Sequence, residues 1–266
     1  TVKDGGFINS LAGGGAAGDI SIDATVIELI GGNPVGGVTT VGASSAFGDA
    51  VGAAGNIQIF ATERLSLRDG AFITTFTSNN QDAGNISIDA RLVEIIGSRE
   101  SEFGINASAI NSGVEGSNTE GNGGMTSIEA EQLVLRDGGR IVASTEGNGS
   151  GGDVLIQADV IEIIGIDPIG ALPSTIAADV RTSGSGNGGD IVIRDARRLS
   201  IREGAVLSST TFGTGDTGTI SIDADQVEVL GVDSEGNSSF INAQVNTGAT
   251  GNAHSLTITT NELVVK

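Results

Sequence analysis

The sequence predicts an all-β fold: a right-handed parallel β-solenoid with three strands per rung and seven to eight rungs, in which long and short rungs alternate. Three observations predict it. A heptapeptide, Gly-(Asp/Asn)-Ile-Ser-Ile-Asp-Ala, recurs along the whole chain. Its aliphatic residues alternate with polar ones, the period of a strand with one buried face. Gly supplies 43 of 266 residues while aromatics are only 3%. That composition suits many turns and a core of stacked aliphatic side chains without large rings.

The heptapeptide stands as GDISIDA at 18–24, GNIQIFA at 55–61, GNISIDA at 84–90, GMTSIEA at 124–130 and GDVLIQA at 152–158. GDIVIRD follows from Gly189, GTISIDA at 218–224, and a worn copy, HSLTITT, from His254. Successive copies begin 37, 29, 40, 28, 37, 29 and 36 residues apart. Two unit types therefore take turns. The opening Gly of each copy is expected to adopt positive φ in a turn.

A second strand follows each copy. In long units it reads VIELIG (26–31), LVEIIG, VIEIIG or QVEVLG, and in short units LSLRDG (65–70), LVLRDG or LSIREG. The third strand is Ile-x-(Ala/Ser/Thr), beginning at Ile8, Ile73, Ile105, Ile141, Ile176 and Ile241. A loop rich in Gly, Ser, Asn and Thr then leads to the next heptapeptide. At the β spacing of about 4.8 Å per rung, the stack forms a rod roughly 35–40 Å long. The end LVVK overlaps the opening TVKDGG when the two are aligned, so residues 1–266 are expected to be one array cut from a longer protein. Both rod ends are then open sheet edges, a route to end-to-end self-association.

Three features bear on function. The sixth heptapeptide position forms an outward column: Asp23, Phe60, Asp89, Glu129, Gln157, Arg194, Asp223 and Thr259. Paired carboxylates in a cleft serve acid–base chemistry, but a column diluted by Phe60, Gln157, Arg194 and Thr259 marks no unique rung. No catalytic residue is assigned. A second column places Glu28, Glu94, Glu162 and Glu228 on long units, with Ser66, Val134, Ser200 and Val264 between them. Lys3, Arg68, Arg136, Arg202 and Lys266 run beside it, the first four followed by Asp or Glu and then Gly. This reads as a turn whose cation reaches a neighbouring Glu. Asn9, Asn106 and Asn242 are placed to form an amide ladder.

A net charge of -20 disfavours nucleic acid and anionic membrane as partners. The chain has no Cys, so neither disulfides nor thiolate metal sites exist, and no apolar run reaches transmembrane length. No cofactor is expected. Ca²⁺ is the one candidate, through the oxygen-rich loop segments Asn79-Asn80-Gln81-Asp82 and Gly213-Thr214-Gly215-Asp216. The longest insertions, 31–39, 98–104 and 166–174, all follow the second strand of a long unit and are expected to project from one side.

GNISIDA, the LSLRDGA block (65–71), the Ile-x-Ala strand and the Gly/Asn-rich loop resemble the repeats of filamentous-haemagglutinin-like large exoproteins, most closely those of cyanobacterial type. The resemblance covers essentially the whole chain. It implies a substrate of two-partner secretion, displayed or released and folded outside the cell as a long β-helix, with adhesion or matrix roles; the side from which the insertions project is where a partner such as a glycan or another cell is expected. Haem use, attached to some members of the wider family, finds no support in a chain whose sole His is His254 and sole Met is Met125. The alternative readings are a polysaccharide-active β-helix enzyme and a self-assembling filament or sheath subunit.

Overall fold

The computed structural model describes residues 1–12, 15–32, 38–44, 52–102, 104–233 and 235–266. Among them every regular element is a β-strand, and the chain is a parallel β-helix. The heptapeptide and the second expected strand of each unit form one continuous strand. Eight such strands define rungs 1 to 8: Ile20–Ile30, Ile57–Arg68, Ile86–Ile96, Thr126–Arg136, Val154–Ile164, Ile191–Arg202, Ile220–Leu230 and Leu256–Val265. With the stub Val2–Lys3 they build a nine-stranded parallel sheet in sequence order. The third expected strands build a facing eight-stranded parallel sheet, from Phe7–Leu11 to Phe240–Val245. A narrow third side consists of single bridges linking Thr77, Val114, Thr145, Val180 and Thr211 in turn.

Three separate strands per rung thus become two strands and a bridge. No turn residue separates Ala24 from Val26. The junction shows only as a position skipped in the register, as between Ala130↔Ala158 and Gln132↔Val160. Rungs 2 and 6 carry one extra residue there, absorbed as an irregularity next to Ala61 and at Asp195, whose φ is 58°. Ala196, and not Asp195, then fills the column of Ala158 and Ala224.

The core is a set of aliphatic columns. Ile22, Ile59, Ile88, Ile128, Ile156, Ile193, Ile222 and Ile258 pair in unbroken register. The six inner members are at most 3% exposed. Val41, Ile73, Ile110, Ile141, Ile176 and Leu207 meet them from the opposite sheet, all fully buried. Burying each such side chain contributes about 1.5–3 kcal/mol. Rung 3 departs from expectation. Its third strand is Ala109–Asn111, with Ile110 in the core, while Ile105 lies in a projecting hairpin and is 38% exposed. The sequence holds two Ile-Asn pairs there, and the insertion claims the first.

The column of the first heptapeptide Ile has one polar member. Thr126 takes the place of the first heptapeptide Ile and is fully buried, hydroxyl to hydroxyl with Ser112 at 2.8 Å. Thr126→Val alone is expected to strand the Ser112 hydroxyl and cost about 1–3 kcal/mol. Adding Ser112→Ala removes both partners and is expected to recover most of that loss. Denaturant unfolding of the two single variants and the double checks it; additive losses contradict it.

Each rung turns its corner in one of two ways. In short units the pairs Asp4-Gly5, Asp69-Gly70, Asp137-Gly138 and Glu203-Gly204 all have positive φ at both residues. This is the type I′ pattern, closed at three of them by Gly6 N–H to Lys3 O, Gly139 N–H to Arg136 O and Ala205 N–H to Arg202 O. In long units a single Gly with positive φ, Gly97, Gly165 or Gly231, opens an antiparallel excursion. These are the hairpin Ser98–Ser101 with Gly104–Ala107, the Ile166↔Pro173 bridge and the Val232↔Ser238 bridge. Shared register puts all three on one side, as expected of the insertions at 98–104 and 166–174; position 103 lies outside the described residues. Of the insertion at 31–39, residues 33–37 lie outside them too.

A hydroxyl absent from the sequence reading stitches the two corner types together. Ser108, Ser174 and Ser239 each donate to the last carbonyl of their own long strand, at 2.7–3.0 Å. Each accepts the N–H of Gly70, Gly138 or Gly204 from the short rung before it, at 3.0–3.1 Å.

The opening Gly of the heptapeptide does not have positive φ. Its reason is proximity. A Cβ on Gly84, Gly124, Gly152, Gly189 or Gly218 would overlap the carbonyl oxygen of the same Gly one rung back. Beside this backbone stack, side-chain ladders run in the following position. Asn56 N–H bonds Asp19 Oδ1 at 2.7 Å, Asn85 N–H bonds Asn56 Oδ1 at 2.9 Å, and Met125 N–H bonds Asn85 Oδ1 at 2.8 Å. The ladder resumes through Asp153, Asp190 and Thr219. The amide ladder expected at Asn9, Asn106 and Asn242 does not form. Asn9 pairs with Gly42, Asn106 lies in the hairpin, and Asn242 pairs with Ser208.

Candidate functional site

The two outward columns of the long-strand sheet fall as the spacing predicts. Asp23, Phe60, Asp89, Glu129, Gln157 and Arg194 are neighbours in register, all on the outer surface. The Glu column alternates with Ser66, Val134, Ser200 and Val264. Turn arginines reach it: Arg68 to Glu94 at 2.9 Å, Arg136 to Glu162 at 3.0 Å, and Arg202 to Glu162 at 3.5 Å. The extra residue of rungs 2 and 6 adds Arg64 to Glu28 at 2.5 Å and Arg198 to Glu228 at 2.6 Å. The hydrogen bond from Arg198 holds the Glu228 carboxyl below the usual range, against a smaller opposing effect of burial. These half-exposed pairs contribute about 0–1 kcal/mol each and join adjacent rungs. Among the described residues Lys3 pairs only with Asp4, at 3.9 Å.

The oxygen-rich loops do the same structural work. Asp82 Oδ1 accepts the N–H of Asn122 at 2.8 Å, and Asp216 Oδ1 that of Asn252 at 2.7 Å. Asn79 Oδ1 caps the N–H of Gln81 at 2.7 Å. Among the described residues no group of three or more His, Cys, Asp or Glu side chains is placed to hold a metal ion. His254 lies 4.0 Å from Asp216 in the second of these loops.

A different place concentrates unlike chemistry: the outer face of the short-strand sheet at rungs 3 to 6. Because Ile141, Ala143, Ile176, Ala178 and Val180 point inward and are fully buried, their neighbours point outward. Rung 4 therefore presents Arg140, Val142 and Ser144, and rung 5 Thr175, Ala177, Asp179 and Arg181. Register sets Arg140 between Ala109 and Thr175, and Val142 between Asn111 and Ala177. The small residues Ala109, Ser144 and Ala177 leave two hollows, about 190 and 400 Å³, which share Arg140, Val142 and Arg181. Phe72, Ile105 and Leu172 wall one end and Phe212 the other. The hairpins of rungs 3 and 5 thus supply part of the rim.

The charges here are unevenly paired. Arg181 reaches Glu146 at 3.4 Å, and Asn111 donates to Glu115 at 3.2 Å. Asp179 Oδ1 accepts the Thr210 N–H at 2.6 Å and the Ser208 hydroxyl at 3.0 Å, while its own N–H bonds Ser144 Oγ at 3.0 Å. Arg140 makes no ion pair among the described residues, and its buried Nε has no hydrogen-bond partner. Burial, then the like charge of Arg181, lowers the Arg140 pKa against the attraction of Asp179. Arginine remains a cation throughout.

Burial raises the Asp179 carboxyl pKa, opposed by its bonds from Thr210 and Ser208 and by the two arginines. The folded state therefore keeps a proton at pH values where the unfolded chain has released it. Stability falls as pH rises from the ordinary carboxylate pKa through the raised one. Asp179→Asn lacks this dependence. The stability difference, wild type minus variant, is expected to be largest in acid and to shrink toward neutrality. Denaturant midpoints measured from about pH 3 to pH 7 check it; a difference independent of pH contradicts it.

Sequence reading missed this face because Arg140 stands alone in GGRIVAS and its neighbours arrive from other rungs. Compared with protein-family models, curated proteins and solved structures, the chain matches none.

Proposed function

We propose that the chain is a structural and adhesive solenoid segment of a secreted or cell-surface exoprotein, which meets its partner through a broad face and projecting hairpins. The observation that carries this reading is the division of labour around each rung. The long-strand sheet spends its outward side chains on rung-to-rung ladders, while hairpins and an open groove vary the other sides. Extended surface and repeated cross-section serve attachment along a length of partner better than chemistry at one enclosed point. The resemblance of GNISIDA and LSLRDGA to exoprotein repeats agrees with display outside the cell, as does a -20 charge that keeps a long rod soluble.

Labelled protein incubated with polysaccharide-coated beads and with whole cells tests it. Retention above an albumin control is expected, with the polysaccharide recovered intact. Absence of retention on every surface overturns the adhesive reading, and release of shortened glycan replaces it with an enzymatic one.

A further inference from the structure

Arg140 is the unusual residue of the molecule. The other arginines whose Nε is buried without a partner, Arg64, Arg198 and Arg202, each hold a Glu through Nη2. Arg140 holds none. A half-buried guanidinium without a bonded anion carries a desolvation cost that an incoming anion would offset. The groove is open along the rod axis, so an elongated ligand fits it better than a compact ion.

We infer that this groove binds a carboxylate-bearing sugar chain, the carboxylate on Arg140 and Arg181. The inference rests on the adhesive reading above and adds its ligand class. Three observations select the class. Guanidinium and carboxylate match as planar, two-point partners. Phe72 and Phe212 stand at opposite ends of the groove, apolar faces on which sugar rings stack. Between them Asp179, Asn111 and Ser144 supply acceptors and donors for hydroxyl groups. Charge sets an upper bound on the ligand. Asp179 lines the groove, and Glu115 and Glu146 line a smaller adjoining hollow that shares Val142 and Arg181 with it, in a chain of net charge -20. A densely sulfated chain is repelled by them more strongly than a chain with one carboxylate per sugar and free hydroxyls between.

Calorimetry with tetragalacturonate tests this, alongside its methyl ester, which keeps the rings and loses the charge, and tetraglutamate, which keeps the charge and loses the rings. Binding of the acid alone is expected, weakened about tenfold or more in Arg140→Gln and in the exposed Arg181→Gln. Arg197→Gln, on the opposite sheet, is expected to bind as wild type. Equal binding of ester and acid, equal binding of tetraglutamate, no binding of tetragalacturonate, or no effect of either groove variant overturns the inference. Far-ultraviolet circular dichroism and melting of each variant separate lost binding from lost folding, and Arg181→Gln, at a surface residue, keeps the test sound if Arg140→Gln is unstable. Wild-type protein that is retained on cells yet ignores tetragalacturonate sinks the groove assignment and leaves adhesion standing. Protein that binds tetragalacturonate yet is retained nowhere does the opposite.

Discussion

Gly152→Ala is expected to destabilise the rod by about 3 kcal/mol or more, the upper end of the overpacking range. The cause is not conformational, since Gly152 has no positive φ. Its new Cβ would overlap the carbonyl oxygen of Gly124 on the rung before. That oxygen is backbone, fixed by the ladder, and the same stack continues through Gly84 and Gly189. Relief requires the two rungs to part locally, breaking hydrogen bonds such as Thr126 N–H to Asp153 O at 2.8 Å. Gly15→Ala is the control, because a Cβ there meets nothing within 4 Å. It is expected to stay within about 0.5 kcal/mol of wild type. Guanidinium unfolding of both variants measures the contrast.

Ile156→Ala is expected to cost about 2–5 kcal/mol. Ile156 is fully buried between Ile128 and Ile193. Neighbouring rungs cannot close onto the cavity, because backbone ladders hold them at a fixed spacing. The position within the rod is expected to matter as much as the chemistry. Ile258 occupies the same column but is only half-buried, in a terminal rung. Ile258→Ala is expected to cost about 1 kcal/mol, in proportion to the area it buries. Since each rung packs only on its neighbours, the loss at Ile156 weakens the link between rungs 4 and 6. Hydrogen exchange is expected to rise first at rungs 4, 5 and 6 and to spare rungs 1 and 8. Equal losses at the two isoleucines contradict the column model.

Much of this fold was legible in the residues because stacking makes sequence period and spatial neighbour the same thing. The spacing from Ile128 to Ile156 and the alternation of Glu162 with Ser200 translate directly into register. The Arg-Asp-Gly turns and their ion pairs followed from the same logic. What escaped falls into two physical kinds. Local ambiguity hid the fusion of two strands across Ala24-Thr25-Val26, the choice of Ile110 over Ile105, and the true reason for Gly152. A strand junction without turn residues, a motif occurring twice, and a missing Cβ each admit more than one local structure. Convergence across rungs hid the candidate face. Arg140, Asp179 and Glu115 belong to three different units, and none is marked as special within its own. The pairing of Thr126 with Ser112 was hidden in the same way, since Ser112 follows the third strand of rung 3 and Thr126 opens rung 4.

In-register parallel stacking is most directly measured by spin-label distances along one outward column. The chain has no Cys, so labels placed at Asp23 with Gln157, and at Asp23 with Asp223, report cleanly. These positions lie four and six rungs apart, and at about 4.8 Å per rung the backbone separations are expected near 19 and 29 Å. Distances that grow in that proportion support the coil. A 23–223 separation equal to or shorter than the 23–157 separation contradicts it, and with it every column, ladder and groove described above.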